Sequence, residues 1–262
     1  MKAELDTKEI IELEKKLYQY AGEDRILSSH DLAKSFREED TPISIKSGIP
    51  SLDRYIDGFE GGELIVISGL TGNGKTLFAQ TLTKNFADQG IKSLWFSYEV
   101  MPRNFLKSFG EDLPFFYMPA RLRGSSLSWL TARIHEAKLK YEIKAVFVDH
   151  LHFLIQINKG NLSVEIGAVV RELKKLALRF NLCIFLIAHT MKIKPEVELG
   201  LGDTRDSSFI EQEADNVFYI WRLKKGNQAI LKIAKNRRNG VFEKKIKLTK
   251  EGKFLVEVAD EQ

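Results

Sequence analysis

The segment ISGLTGNGKT, residues 67–76, decides the fold of this chain. Its last eight residues match the pattern G-x-x-x-x-G-K-[ST], with an apolar run before them and a helix-like segment after them. In such a loop the glycines let backbone amides turn inward around a β-phosphate, the lysine reaches the β/γ-phosphates, and the terminal hydroxyl ligates Mg²⁺. We therefore expect a nucleoside triphosphate to be bound by Gly69, Leu70, Thr71, Gly72, Asn73, Gly74, Lys75, Thr76 and Leu77.

Strand-like and helix-like segments alternate around this loop. Near-continuous apolar runs separated by helical patterns are typical of a mostly parallel sheet with helices on both faces. After residue 216 the runs follow closely on one another, as in β-hairpins. The predicted fold is therefore α/β, with a mostly parallel central sheet, flanking helices and C-terminal hairpins. The predicted strands are 64–68, 93–98, 143–148, 182–188, 216–221, 229–234, 242–248 and 253–258; the predicted helices are 75–88, 100–108, 126–140 and 163–180.

The first 42 residues differ from this pattern. Residues 7–22 have apolar side chains at helical spacing, and Ser28 or Ser29 can cap a second short helix. A polar connector interrupted by proline, REEDTPISIKSG, follows. We predict a helical extension over residues 1–42 and a nucleotide-binding domain over residues 43–262. The first helix either packs on its own domain or serves as a linker.

Composition indicates an ordinary globular protein. Of the 262 residues, 44% are apolar and 29% charged, and the net charge is +4. The longest apolar run, 182–188, is too short to cross a bilayer and contains the single cysteine. We predict a cytoplasmic protein with no membrane partner. The stretch 222–253 carries 12 lysines and arginines against two glutamates, which fits either nucleic-acid contact or solvated strand faces.

Two carboxylates follow predicted strands, where a parallel sheet places its ligands. Asp149, after the run KAVFV, supplies the second Mg²⁺ anchor beside Thr76, although an Asp at that point can also cap a turn. Glu99, after SLWFSY, is either the general base that polarises the attacking water or a residue that starts a helix. Spacing alone does not decide between the two interpretations of Glu99.

Histidines follow two strands. His189 comes after LCIFLIA and is either a structural hydrogen-bonding residue or a sensor of the γ-phosphate. His150 and His152 lie next to Asp149, but no third protein ligand stands at a recognisable spacing from them. We interpret both as packing or loop residues.

The order and spacing of six segments resemble those of the RecA-like motor domain of DnaB-type replicative helicases, a family that includes Twinkle-like ring helicases. The segments are SGIPSLDRYIDGFEGGELIVISG, WFSYEV, VFVDHLHFL (the family pattern is V-I-D-Y-L-Q-L), LIAHTMK, DTRDSSFIEQEADNVFYIWR and AKNRRNG. They cover roughly residues 45–258. The resemblance implies that residues 43–262 form a RecA-like P-loop ATPase motor, with ATP and Mg²⁺ as its cofactors.

The resemblance also implies roles for individual residues. Glu99 corresponds to the catalytic base, and His189 to the γ-phosphate sensor. Lys235 and Arg237 correspond to fingers that reach the active site of a neighbouring subunit. Because KNRRNG is one residue longer than the family pattern K-x-R-N-G, Arg238 is the alternative finger. A guanidinium in that role donates to the phosphoryl oxygens of the transition state.

A ring follows from fingers that act between subunits, and the resemblance implies a homo-hexamer with single-stranded DNA in its channel and helicase activity of the 5′–3′ type. The cations corresponding to the channel loops are Lys159, Lys192, Lys194 and Arg205. Primase and loader contacts are open, because only some 45 residues precede the motor. The alternative function is that of a KaiC-like or RadA-like ATPase, a switch or recombination-type protein that does not unwind DNA.

Overall fold

The computed structural model describes residues 7–22, 25–35, 44–122, 126–155, 162–189, 210, 212–223 and 227–258. The chain divides into two compact units, Met1–Pro42 and Ile43–Gln262. The first contains helices α1, Thr7–Tyr18, and α2, Ser29–Ser35. Ser28 caps α2 through its hydroxyl, which accepts a hydrogen bond from the Asp31 amide at 3.1 Å. The apolar side chains of α1 are largely exposed, Leu13 by 50% and Leu17 by 64%.

An eight-stranded sheet forms the centre of the second unit, with the strand order β2-β3-β4-β1-β5-β6-β7-β8. The first five strands in that order run parallel and the last three are added antiparallel. The mostly parallel sheet and the C-terminal hairpins predicted from the sequence are therefore confirmed. The strands are β1, Leu64–Gly69; β2, Ser93–Ser97; β3, Ala145–Asp149; β4, Cys183–His189; β5, Asn216–Arg222; β6, Gln228–Asn236; β7, Lys244–Glu251; and β8, Phe254–Glu257.

Helices cover both faces of the sheet, because the side chains of each strand alternate between two apolar cores. Ile65 and Ile67 of β1 join the core beneath α3, α4 and α5, whereas Leu64 and Val66 join the core beneath α6 and α7. Both faces of β1 to β4 are buried, which explains their continuous apolar runs. The helices are α3, Pro50–Ile56; α4, Lys75–Asp88; α5, Pro102–Ser108; α6, Leu127–Tyr141; and α7, Leu162–Phe180.

The parallel strands bring the ends of four segments to one edge of the sheet. In register, Ser97 lies opposite Asp149, Asp149 opposite Ile187, and Gly69 opposite His189. The carboxyl ends of β2, β3, β4 and β1 thus stand side by side, and the loops that follow them share one surface. This surface is the crevice in which open α/β sheets bind ligands.

Two further predictions from the sequence concern the burial of Cys183 and membrane-spanning helices. Cys183 lies in β4 and is fully buried, as its apolar surroundings predict. Within the described residues, none of the helices combines the length and the apolar character needed to span a bilayer.

Candidate nucleotide site

The phosphate loop connects β1 to α4 with a backbone that side chains would obstruct. Gly69 has a φ of 152°, and a Cβ atom there would collide with the carbonyl oxygen of Ile220. Gly74 has a φ of 97° and precedes Lys75, the first residue of α4, without a side-chain cap. The first amides of α4 therefore have no capping side chain, which is the arrangement that receives an anion.

Lys75 lies inside the loop rather than in solvent. Its side chain is 5% exposed, and its Nζ donates to the carbonyl oxygens of Gly69 at 2.8 Å and Leu70 at 3.0 Å. Burial lowers the pKa of Lys75 to about 8, against the opposing effect of the nearby carboxylates of Asp149 and Glu99. A phosphate in the loop would add negative charge beside this ammonium and so oppose the effect of burial on its pKa.

Thr76 and Asp149 meet across the base of the loop. The Thr76 hydroxyl donates to Asp149 Oδ2 at 2.9 Å. The other oxygen, Oδ1, is buried and has no hydrogen-bond partner among the described residues. Burial is the main cause that raises the pKa of Asp149 to about 6, and the Thr76 hydrogen bond opposes it. An unpaired buried acceptor beside a hydroxyl fits a hard cation with oxygen ligands, so the residues present suit Mg²⁺.

Glu99 lies beyond the carboxyl end of β2 and is exposed. The helix expected from residue 100 begins only at Pro102, with Met101 as its N-cap, because proline suits the first position of a helix. Glu99 is therefore not part of the first turn of α5. Its carboxylate lies close enough to Lys75 and Asp149 to affect their pKa values.

Histidines converge beside Glu99. The rings of His150 and His189 are 4.5 Å apart between centroids, at 81° to one another, and His152 lies 5.3 Å from His150. His189 also contacts the phosphate loop, because its Nδ1 is 3.4 Å from Thr71 Oγ1. Burial lowers the pKa of both His150 and His189 to about 4, and Lys75 contributes to each shift, so both rings are neutral at pH 7.

Of the two predicted fingers, Arg237 lies at the amino-terminal end of the parallel strands, opposite the phosphate loop, and Lys235 lies two residues before it in the chain. Lys235 pairs with Val217 near the start of β5, and Arg237 N–H donates to the carbonyl oxygen of Asp215, just before β5. Asp215 in turn pairs with Leu64, the first residue of β1. Five residues of strand, about 17 Å, separate the level of Arg237 from Gly69, whereas Lys235 lies three residues, about 10 Å, from the level of Gly69 because Val217 pairs with Val66. Arg237 therefore does not reach the phosphate loop of its own chain.

Arg237 and Arg238 differ in their surroundings. The Arg237 side chain is 50% exposed and pairs with Asp215 at 3.1 Å, although it also donates to Gln212 O at 2.6 Å. The Arg238 side chain is 24% exposed and turns into its own domain, where it contacts Glu60 and donates to the carbonyl oxygens of Ile56 at 2.6 Å and Gly58 at 2.7 Å. Arg238 is thus a part of the domain's own packing.

We expect the Arg238→Ala variant to unfold at a lower temperature than the parent chain. The substitution removes the donor to two carbonyl oxygens and the positive charge beside the partly buried Glu60. The free energy of unfolding should fall by about 2 kcal/mol or more, because these hydrogen bonds involve a charged group. For a domain of this size the melting temperature should fall by at least about 4 °C. Thermal unfolding followed by circular dichroism measures the shift. Arg237→Ala is the matched control, and an equal shift in both variants would contradict the assignment.

The candidate DNA contacts are not among these residues. Lys159, Lys192, Lys194 and Arg205 lie outside the part of the chain that the structure describes. The prediction for each of them stays a prediction from the sequence.

Sequence reasoning misses two features of this region. It interprets His150 as a packing or loop residue, yet His150 comes together with Glu99 and His189, which supply the ligand atoms that the sequence spacing does not reveal. It does not single out the buried Asp215 either. Asp215 accepts from Lys174 Nζ at 2.6 Å and from the Leu64 amide at 2.8 Å, and it also holds Arg237. Only the pairing of distant strands joins these groups, although the motif IEQEAD is a signal for Asp215.

Comparison with known sequences agrees with this geometry. A family model described as the DnaB-like helicase C terminal domain matches residues 44–108 and 118–255. The replicative DNA helicase DnaB of Rickettsia conorii is 27% identical over 280 residues, an alignment that covers 84% of this chain and 56% of the relative. The chain spans about half the length of the curated relatives it matches.

Solved structures show the same fold. A chain of a DnaB-like replicative helicase, described with its interactions with primase, superposes with a TM-score of 0.73 at 20% identity, covering 94% of this chain and 71% of that one. A second solved structure, described as an ATPase domain, also gives a TM-score of 0.73, at 19% identity, and the match covers 95% of this chain and 99% of that domain. At this identity the likeness establishes the RecA-like fold alone.

Proposed function

The chain belongs to the DnaB-like helicase C-terminal domain family, and on that premise we propose that it is the ATP-hydrolysing motor of a ring helicase. The motor binds single-stranded DNA and translocates along it. The observation that carries the proposal is the convergence of Lys75, Thr76, Asp149 and Glu99 at the carboxyl edge of a parallel sheet.

ATP occupies the phosphate loop in this proposal. The uncapped amides at the start of α4 face the β-phosphate, and Lys75 exchanges its two loop carbonyls for phosphate oxygens. Thr76 and Asp149 would hold Mg²⁺, which, when bound, neutralises charge on the β- and γ-phosphates. The unpaired Oδ1 of Asp149 supports this assignment.

Glu99 acts as the general base. It accepts a proton from the attacking water at the exposed side of the crevice, where water has access. Its exposure and its place outside α5 support this role over that of a helix-starting residue. His189 is the sensor of the γ-phosphate. It already contacts Thr71 of the loop and is neutral, so that one ring nitrogen can donate to a phosphate oxygen.

Fingers from a neighbouring subunit complete the site. Because Arg237 lies at the end of the parallel strands opposite the loop, it can serve only a site on another copy of the chain. We assign Lys235, two residues earlier in the chain, to the same interface. We assign Arg237 as the arginine finger, since its side chain is half exposed, and assign Arg238 to packing within its own domain. A head-to-tail interface forms a ring when the rotation between neighbouring copies closes, and we propose a homo-hexamer.

DNA binding is assigned from the sequence to Lys159, Lys192, Lys194 and Arg205 in the channel loops. Cations that track a single-stranded backbone need no base-specific groups. The expected signature is affinity for single strands that falls steeply with salt, because several phosphates release their counterions. Contacts with primase or a loader are left open.

The test is the ATP turnover of the purified chain with and without single-stranded DNA, together with its mass in solution. We expect DNA to stimulate turnover several-fold in a hexamer-sized particle, because in the sequence the proposed channel loops follow the strands that end at Asp149 and His189. Stimulation should diminish as salt is raised. Turnover that is indifferent to DNA would contradict the motor and favour an ATP-controlled switch of the KaiC-like or RadA-like kind.

A further inference from the structure

A second set of ligand atoms lies next to the proposed Mg²⁺ site. Glu99, His150 and His189 each bring one ligand atom to a point where all three lie within 4.8 Å of one another. They follow or end β2, β3 and β4, which are adjacent in the sheet and in parallel register. The pairing of three strands therefore places these side chains next to one another.

The chemistry of this set differs from that of Thr76 and Asp149. Two imidazoles and one carboxylate are the ligands that zinc and similar borderline cations accept, whereas Mg²⁺ prefers oxygen alone. Three protein ligands with the fourth position left to water form the usual open zinc site. Ligand atoms around such an ion stand about 3.4 Å apart, given bonds of about 2.1 Å. Glu99 is exposed, so its carboxylate is free to close the remaining gap.

Little in the present contacts opposes metal binding. His189 Nδ1 can donate to Thr71 Oγ1 at 3.4 Å and so leave the other ring nitrogen as an acceptor. His150 Nδ1 accepts from the His152 amide at 3.4 Å, a long hydrogen bond that a metal ion on this ring would replace. Losing this long hydrogen bond costs little free energy compared with what a metal–imidazole bond contributes.

We propose that Glu99, His150 and His189 form a binding site for one borderline transition-metal dication, such as Zn²⁺, which blocks ATP hydrolysis while it is bound. The binding itself stands on the geometry of the three ligands. The inhibition rests on the proposed function, because the metal would occupy the carboxylate assigned as the base and the imidazole assigned as the sensor. Mg²⁺ at Thr76 and Asp149 does not compete for these ligands.

His150 gives the sharpest variant. His150→Tyr removes the imidazole ligand and keeps an aromatic ring that can pack in its place. His150 has no part in the proposed hydrolysis, and basal turnover should be kept. His189→Gln is the second variant. His135→Gln is the matched control, since His135 lies on α6 and stacks on Phe180 at 5.1 Å.

The experiment is a calorimetric titration of the full chain with Zn²⁺, without nucleotide and with Mg²⁺ in excess. We expect one Zn²⁺ per chain, with affinity at least about tenfold weaker in His150→Tyr and in His189→Gln, since even second-shell losses cost tenfold or more. His135→Gln should bind as the parent does. Absence of a one-to-one complex in the parent, or equal affinity in all the variants, would overturn the proposal.

A parallel assay separates this site from the proposed function. Zn²⁺ should inhibit ATP turnover of the parent chain, and His150→Tyr should need about tenfold more Zn²⁺ for the same inhibition. Inhibition that is identical in the two proteins would overturn the assignment. If the parent chain hydrolyses no ATP, the proposed function fails, and the calorimetric titration still decides whether the metal site exists.

Discussion

Glu99→Gln should bind ATP and almost cease to hydrolyse it, with turnover lower by about 10²–10⁴-fold. The amide keeps the shape of the side chain but cannot accept a proton from the attacking water. Affinity for ATP should change little, because Lys75 and the amides of α4 carry the phosphate contacts and their described hydrogen bonds do not involve Glu99. Single-turnover hydrolysis measures the chemical step, and a fluorescent ATP analogue measures binding.

The control for this variant is Glu111→Gln, which makes the same chemical change at an exposed position after α5. Its turnover should match that of the parent. Near-normal hydrolysis by Glu99→Gln would mean that another group activates the water. A Glu99→Gln protein that fails to bind ATP would instead point to a role of this carboxylate in the shape of the crevice.

Arg237→Ala should lower turnover by about 10³-fold or more, the usual contribution of an arginine finger. The cause is the loss of a guanidinium from the site of a neighbouring copy, so ATP affinity should stay within a few-fold of the parent value. Stability should change by only about 1 kcal/mol or less, because the ion pair with Asp215 is half exposed on the arginine side. Steady-state kinetics and thermal unfolding separate the two effects. Arg179→Ala, at an exposed arginine in the last turn of α7, is the control.

A mixing experiment decides whether Arg237 acts between subunits. Lys75→Ala chains keep Arg237, and Arg237→Ala chains keep Lys75. In a head-to-tail ring assembled from equal amounts, about one interface in four joins both intact groups, so activity should return above that of either variant. No recovery in mixed particles of confirmed composition would contradict the trans assignment. A loss of turnover in Arg238→Ala at unchanged stability would mean that Arg238, and not Arg237, is the arginine finger.

Local pattern explains why so much of the fold could be predicted. The phosphate loop needs glycine where the backbone adopts positive φ, as at Gly72 and Gly74, and that need is written directly in the sequence. The continuous apolar runs reflect strands buried on both faces. The start of α5 is an exception, because the helix predicted from residue 100 begins two residues later, where Pro102 sets the actual start.

The ambiguities that the sequence leaves are of another kind, since they concern groups far apart along the chain. Whether the Glu99 carboxylate lies near Lys75 and Asp149 depends on the alignment of β2 with β3. Whether Arg237 or Arg238 is available to a neighbour depends on contacts with Gln212, Asp215, Ile56 and Gly58. The spacing of residues along the sequence does not predict those contacts.

The sequence by itself determined the α/β class, the phosphate loop, and the strand ends that carry Asp149, Glu99 and His189, because each depends on residues that are neighbours in the chain. Only the tertiary structure decided which side chains meet. The pairing of β2, β3 and β4 brings Glu99, His150 and His189 close together. The antiparallel β6 places Arg237, which follows it, at the end of the parallel strands opposite the phosphate loop. The physical reason is that hydrogen bonding between strands fixes the relative positions of residues that are remote in sequence.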